Sequence, residues 1–327
     1  MDDFCCLPTL IAHADWGSAP KKRWLARAAL KEDGYYWVSA PEKISDPAHL
    51  VASLQQAAGP RGSLLLGFDF PIGLPWGYAQ QCGINDFMSL LPHLGQGEWS
   101  AFYEVASQPE QISLHRPFYP QKPGHARHSH LTEALGVNSM DELRRRCEFP
   151  LPGRRAAAPL FWTLGGQQVG KAAILGWRDL LTPALSNSPQ TIQIWPFAGS
   201  LSELCQTGRT VIAETYPAEF YDHLGVSFPR RHSGGKSGKR SQAGRIANAG
   251  KLLSWAQEAG LLLDPQLKNE IREGFGPSPD AEDPFDATIG LFGMLNVVLG
   301  FRSAGEPGDE RLRKVEGWIL GQAWNPE

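Results

Sequence analysis

"LLLGFDFPIGLPWGYA", residues 64–79, starts as an apolar run and breaks off at a carboxylate. Three leucines, a glycine and a phenylalanine lead into Asp69, and Pro71 and Gly73 turn the chain at once. A buried ionised carboxylate is expensive unless it is paired, hydrogen-bonded or bound to a cation. Working outward, "PTLIAHAD" (8–15), "RWLARAAL" (23–30) and "YYWVSA" (35–40) read as three strands. "DPAHLVASLQQAAG" (46–59) reads as a helix with Asp46 as N-cap, Pro47 in its first turn and Gly59 as its stop. "SLLLGFDF" (63–70) returns as a fourth strand. Three consecutive strands, a crossover helix and a further strand predict a mixed α/β sheet, with the first and fourth strands as parallel neighbours.

Two other apolar runs end in an acid: "IAHADWGS" at Asp15 and "TVIAETYP" at Glu214. With their strands side by side, three carboxylates converge on one sheet edge, where open α/β sheets bind ligands. Divalent cations relieve the repulsion of such a group, and oxygen-only ligands favour Mg²⁺ or Mn²⁺. The competing reading of each acid is local, since "DWGS" and "DFPIG" are also good turn sequences. A fourth element, "EDPFDATIGLFGML", places Asp283 and Asp286 on the first turn of a helix that is apolar all round, with Gly290 and Gly293 permitting close backbone approach. Here the competing reading is a capping box: Asp283 as N-cap, Pro284 first in the helix and Asp286 at its third position. We expect a mixed role, with Asp286 as ligand and Asp283 as cap and ligand together.

The remaining chain is read around this frame. "TIQIWPF" (191–197) and "TVIAETYP" (210–217) read as strands, and 241–260, 264–273 and 283–300 as helices. Residues 76–190, rich in Pro, Gly, Trp and His, read as an insertion with helical patches at 131–147 and 170–184. The expected organisation is a core of 8–75 plus 191–321 interrupted by that insertion. The chain has 327 residues, 42% of them hydrophobic, and a net charge of -3, so any nucleic-acid surface must be a local patch. Five cysteines without a paired spacing fit reduced thiols rather than a disulfide framework. An acidic start and the lack of a long apolar run predict no signal peptide and no membrane span, hence a cytoplasmic protein.

The strings "ADWGS", "FDFPIGLP", "AETYP" with "WPF" upstream, "KSGKRSQAGR", "DPFDA" and "EGWILG" resemble the family called domain of unknown function 429, a branch of the ribonuclease H-like fold. The resemblance covers most of 8–75 and 191–321. It implies a metal-dependent nuclease that hydrolyses phosphodiesters with two Mg²⁺ or Mn²⁺ ions. The implied ligands are Asp15, Asp69, Asp286 and Asp283, with Glu214 as a further catalytic acid.

No acid occurs between His223 and Gln257, while Lys236, Lys239, Arg240, Arg245 and Lys251 do. Lys236, Lys239, Arg240 and Arg245, with Ser18 of the "DWGS" turn, are the expected contacts to the phosphates of a nucleic acid or nucleotide. "HARHSH" (125–130) lacks a cysteine or carboxylate at zinc-binding spacing and reads as a surface loop. "GGQQVGKA" (165–172) imitates a phosphate-binding loop, but Ala172 stands where the metal-binding hydroxyl belongs. Two other functions share the frame: a small-molecule kinase of the actin-like type, which needs a second such unit, and a non-catalytic nucleic-acid-binding protein.

Overall fold

Eight strands form one mixed sheet in the computed structural model, which describes residues 7–151, 154, 156–165, 169–228 and 238–325. The strands are β1 (Leu10–Asp15), β2 (Trp24–Leu30), β3 (Tyr36–Val38), β4 (Glu42–Lys43), β5 (Leu64–Phe68), β6 (Ile192–Trp195), β7 (Thr210–Glu214) and β8 (Leu262–Leu263). Their order is β6-β7-β5-β1-β2-β3-β8, with β4 beside β2. β2 is antiparallel to β1, β3 and β4, whereas β1, β5, β7 and β6 run parallel and β8 runs parallel to β3. The crossover from β4 to β5 runs through the helix Leu50–Ala58. The first and fourth expected strands are therefore parallel neighbours, as the sequence predicts.

Strand β5 is buried at every position, which explains its unbroken apolar run. Leu64, Leu66 and Phe68 face one core with the helix Leu50–Ala58 and most of residues 76–190, while Leu65 faces the other. That second core holds the helices Gln242–Glu258, Pro265–Arg272 and Glu282–Val298. The last of these is buried from Asp283 to Val298 and lies across β1 and β2. Its glycines let it settle there. A Cβ on Gly290 would stand 2.2 Å from the His13 ring, and one on Gly293 2.0 Å from Phe220.

Several boundaries differ from the expectations. The first helix starts at Leu50 with His49 as its N-cap residue. Asp46 instead accepts the His49 N–H from the preceding turn, 3.3 Å away. Gly59 ends that helix with φ 85°, as expected. The two-residue strands β4 and β8 were not foreseen, being too short to show an alternation. Within 76–190 no described residue joins the sheet in a named strand. The patch expected over 131–147 is a helix at His128–Leu135, closed by a left-handed Gly136, and then isolated single turns. "HARHSH" thus runs into a helix rather than forming a loop throughout. His130 Nδ1 lies 2.9 Å from the Tyr119 hydroxyl, and His128 stands edge-on to Trp162. The patch at 170–184 is longer, continuing through a wide turn at Trp177–Leu181 to Asn187.

Candidate functional site

Parallel pairing sets the register of the acids. Phe68 of β5 lies next to Ala14 of β1 and to Glu214 of β7, so Asp15, Asp69 and Glu214 end their strands at one edge. The first turn of the Glu282–Val298 helix comes to the same edge. Together they line a cleft of about 890 Å³ whose other walls include Arg145, Arg154, Val169, Tyr216, Tyr221 and Lys239.

Two of these acids reach across to the loop of a neighbouring strand. Asp69 Oδ1 accepts the Trp16 N–H at 2.6 Å, and Glu214 Oε2 accepts the Ile72 N–H at 2.6 Å. The local-turn reading of Asp69 is therefore half right: it does satisfy a backbone donor, but one belonging to the "DWGS" turn after β1. The Glu214 carboxylate is also gripped by Arg145, with Nη1 and Nη2 each at 2.6 Å from one of its oxygens. Arg145 is fully buried, and its Nε bonds Glu148 at 2.9 Å. Glu214, expected as a catalytic acid, is thus a neutralised anchor for the chain around Arg145 and adds little repulsion to the edge.

The aspartates are poorly compensated by comparison. Burial and then the charges of Asp69, Asp286 and Asp283 push the Asp15 carboxyl well above its ordinary range. Burial also raises Asp69, opposed by its bond to the Trp16 N–H and by a bond to Asp15. Asp286 is raised by burial against the pull of Lys239, whose Nζ pairs with it directly, and the Tyr221 hydroxyl lies 3.4 Å away. Asp283 is raised to about 6, chiefly by burial, and its Oδ2 is buried without a hydrogen-bond partner. Four carboxyls thus face one ammonium in direct contact.

The capping expectation for Asp283 is corrected. The helix begins two residues earlier than that cap requires, at Glu282, with Ala281 as the cap residue. Pro284 remains acceptable because first-turn N–H groups have no partner within the helix. Asp283 and Asp286 are therefore left to the cleft.

The basic residues divide. Lys239 keeps 38% of its side chain exposed and bridges cleft and acids, and Arg240 stands at the rim, 3.6 Å from Glu282. Ser18 is an exposed residue of the lining. Arg245 is not available to a phosphate. It is buried, and its guanidinium donates to the carbonyls of Gly274, Gly276 and Lys239. Its effect is to hold the backbone of Lys239 in place. Lys236 lies outside the described residues. The sequence reading missed Lys22, Tyr221, Arg145 and Arg154 in the lining. Only their ordinary composition was visible there, with no spacing to mark them.

Among the described residues no group of three or more His, Cys, Asp or Glu is set out to hold a metal ion. Hydrogen bonds, raised carboxyl pKa values and Lys239 compensate the acids instead. The donor set still suits a hard cation: it is all oxygen, it is under-compensated, and Asp283 Oδ2 has no partner. His13, the only histidine near the acids along β1, is buried and lowered to about 3. It is a neutral core residue packed against Gly290. Among the described residues no helix is long and apolar enough to cross a membrane. No family model, no curated protein and no solved structure matches the chain.

Proposed function

We propose that the chain is a phosphodiester hydrolase of the ribonuclease H-like type, acting on a nucleic acid or nucleotide with Mg²⁺ or Mn²⁺. One observation carries this reading. Asp15, Asp69, Asp283 and Asp286, distant in sequence, meet at a sheet edge with their negative charge under-compensated. A structural cluster would be expected to carry matching cations, as Glu214 does in Arg145.

Asp15, Asp69 and Asp286 would hold the ions, which when bound supply an activated water and stabilise the leaving oxygen. The chain's own groups do the rest. The Trp16 N–H fixes the orientation of Asp69. Asp283, raised to about 6, is placed to accept a proton near neutral pH, and its Oδ2 is unpartnered. Lys239 balances Asp286 and can turn to a phosphate oxygen when substrate arrives. Lys22 and Arg240 add positive charge at the mouth. The kinase alternative needs two similar units, and the described residues form one sheet.

The test is incubation with Mn²⁺ or Mg²⁺ and labelled single-stranded, duplex and branched nucleic acids. Cleavage is expected in at least one, and Asp15→Asn or Asp69→Asn should abolish it while the fold persists. Cleavage undiminished in both variants would refute the site. Tight binding with no product in any metal would leave the binding-protein alternative.

A further inference from the structure

The lining of the cleft holds a further cation that no part of the proposed chemistry uses. Arg154 lines the cleft, yet its side chain is only 9% exposed. Its Nη2 donates to the carbonyls of Cys147 at 2.7 Å and Phe149 at 3.1 Å, which fixes the guanidinium in place. Its Nε and Nη1 are buried with no hydrogen-bond partner. The nearest negative charge is Glu219, whose Oε2 lies 3.5 Å from Nε in an arrangement too poorly aligned to bond. That carboxylate is shared, since Arg302 Nη2 lies 3.1 Å from its other oxygen. Two guanidiniums therefore divide one carboxylate, leaving a net positive charge with a free donor beside the cleft.

The site lies close to the acids. The Arg154 guanidinium sits 5.7 Å from the centre of the Tyr216 ring. The Tyr216 hydroxyl feels the charges of Lys239, Arg154, Asp286 and Asp69 together. One tyrosine therefore stands within electrostatic reach of both groups. A buried guanidinium with unused N–H donors is suited to a phosphate, which accepts the paired bonds that the planar fork offers.

We propose that Arg154 holds a second phosphate of the substrate, next to the one cleaved at the aspartates, so that the cleft prefers a nucleotide chain carrying adjacent phosphates over a lone phosphodiester. The proposal rests on the hydrolase reading for the identity of the first phosphate, and its test separates the two.

The probes are the dinucleotide TpT, with one phosphate, and pTpT, with a second at its 5′ end. Binding to the full chain is measured in EDTA, and again with Mg²⁺ by rapid mixing, before either ligand is consumed. We expect pTpT to bind about tenfold tighter than TpT or better, the scale of one charge-assisted contact. Arg154→Gln should bring that ratio close to one by weakening pTpT more than TpT. Arg154→Lys, which keeps the charge but not the fork, should retain part of it and serves if the glutamine variant does not fold, as judged by circular dichroism. A ratio near one in the unsubstituted chain under both conditions, or a ratio that survives Arg154→Gln, would overturn the proposal. An Arg154-dependent preference without cleavage in any metal would sustain the anion site and refute the hydrolase. Cleavage with a preference indifferent to Arg154 would do the reverse.

Discussion

Asp15 and Glu214 end strands on either side of β5 and are almost equally buried, yet their surroundings give them opposite energetic signs. Glu214 is bound by a guanidinium through two oxygens, whereas Asp15 faces three other carboxyls. Removing one partner of a buried pair costs about 3–5 kcal/mol, so Glu214→Gln should lower the melting temperature markedly. Asp15→Asn relieves repulsion and should raise it in metal-free buffer. Thermal melts of the two variants check this, and parallel losses would mean that both acids are structural. Asp283 gives the matching pH test. Its folded-state pKa is raised from 3.8 to about 6, so the stability it contributes is complete below about 4 and lost as pH rises through about 6. The melting temperature of Asp283→Asn should therefore gain on that of the unsubstituted chain across that window, measured in EDTA. A constant difference would mean that Asp283 is not perturbed. Which of Arg144, Arg145 and Arg146 would be buried was not legible, because three adjacent arginines look alike until the fold chooses one. Lys239 and Arg245 likewise belong to one acid-free run. Arg245 falls on a helix face turned to the 274–276 turn, while Lys239 precedes that helix and reaches the acids.

At the scale of elements, the helix Glu282–Val298 carries the site because it can approach the sheet closely. Alanine normally favours a helix over glycine by about 1 kcal/mol. At Gly290 the added methyl would collide with the His13 ring, so Gly290→Ala should instead destabilise by about 1–3 kcal/mol, as overpacked cores do. It should also weaken any cleavage, since Asp286 lies one turn earlier on the same helix. A denaturant titration measures the first effect, and a gain in stability would show that the contact yields. The sequence reading was most successful with such elements. The parallel pairing of the first and fourth expected strands, the crossover between them and the helices at 242–258 and 265–272 followed from apolar runs, and Ser241 and Asp264 prove to be the N-caps of those two helices. It erred at Asp283 because "DPFD" has the form of a cap with Pro in the first turn, whereas the helix starts two residues further back with Ala281, which offers no side-chain cap. It said little of 76–190, where single turns joined by Pro and Gly have no period to read.

For the whole molecule, the long stretch 76–190 matters because it supplies one wall of the cleft and is fastened to the sheet by a few buried polar bonds. Arg145 links Glu214, Glu148 and the carbonyls of Ile72 and Glu316, and Trp177 Nε1 donates to the Pro71 carbonyl at 2.6 Å. Arg145→Met should cost about 3–5 kcal/mol by stranding Glu214, and Arg145→Met with Glu214→Met should recover part of that loss. Equal losses in the single and double variants would show that the pair contributes nothing of its own. The sheet, its two cores and the cleft otherwise converge on a single electrostatic problem at one edge. Titrating Mn²⁺ into the metal-free chain by calorimetry measures whether a cation solves it. Saturable binding that Asp15→Asn and Asp286→Asn each abolish is the result expected. No binding, or binding that both variants leave intact, would contradict the account.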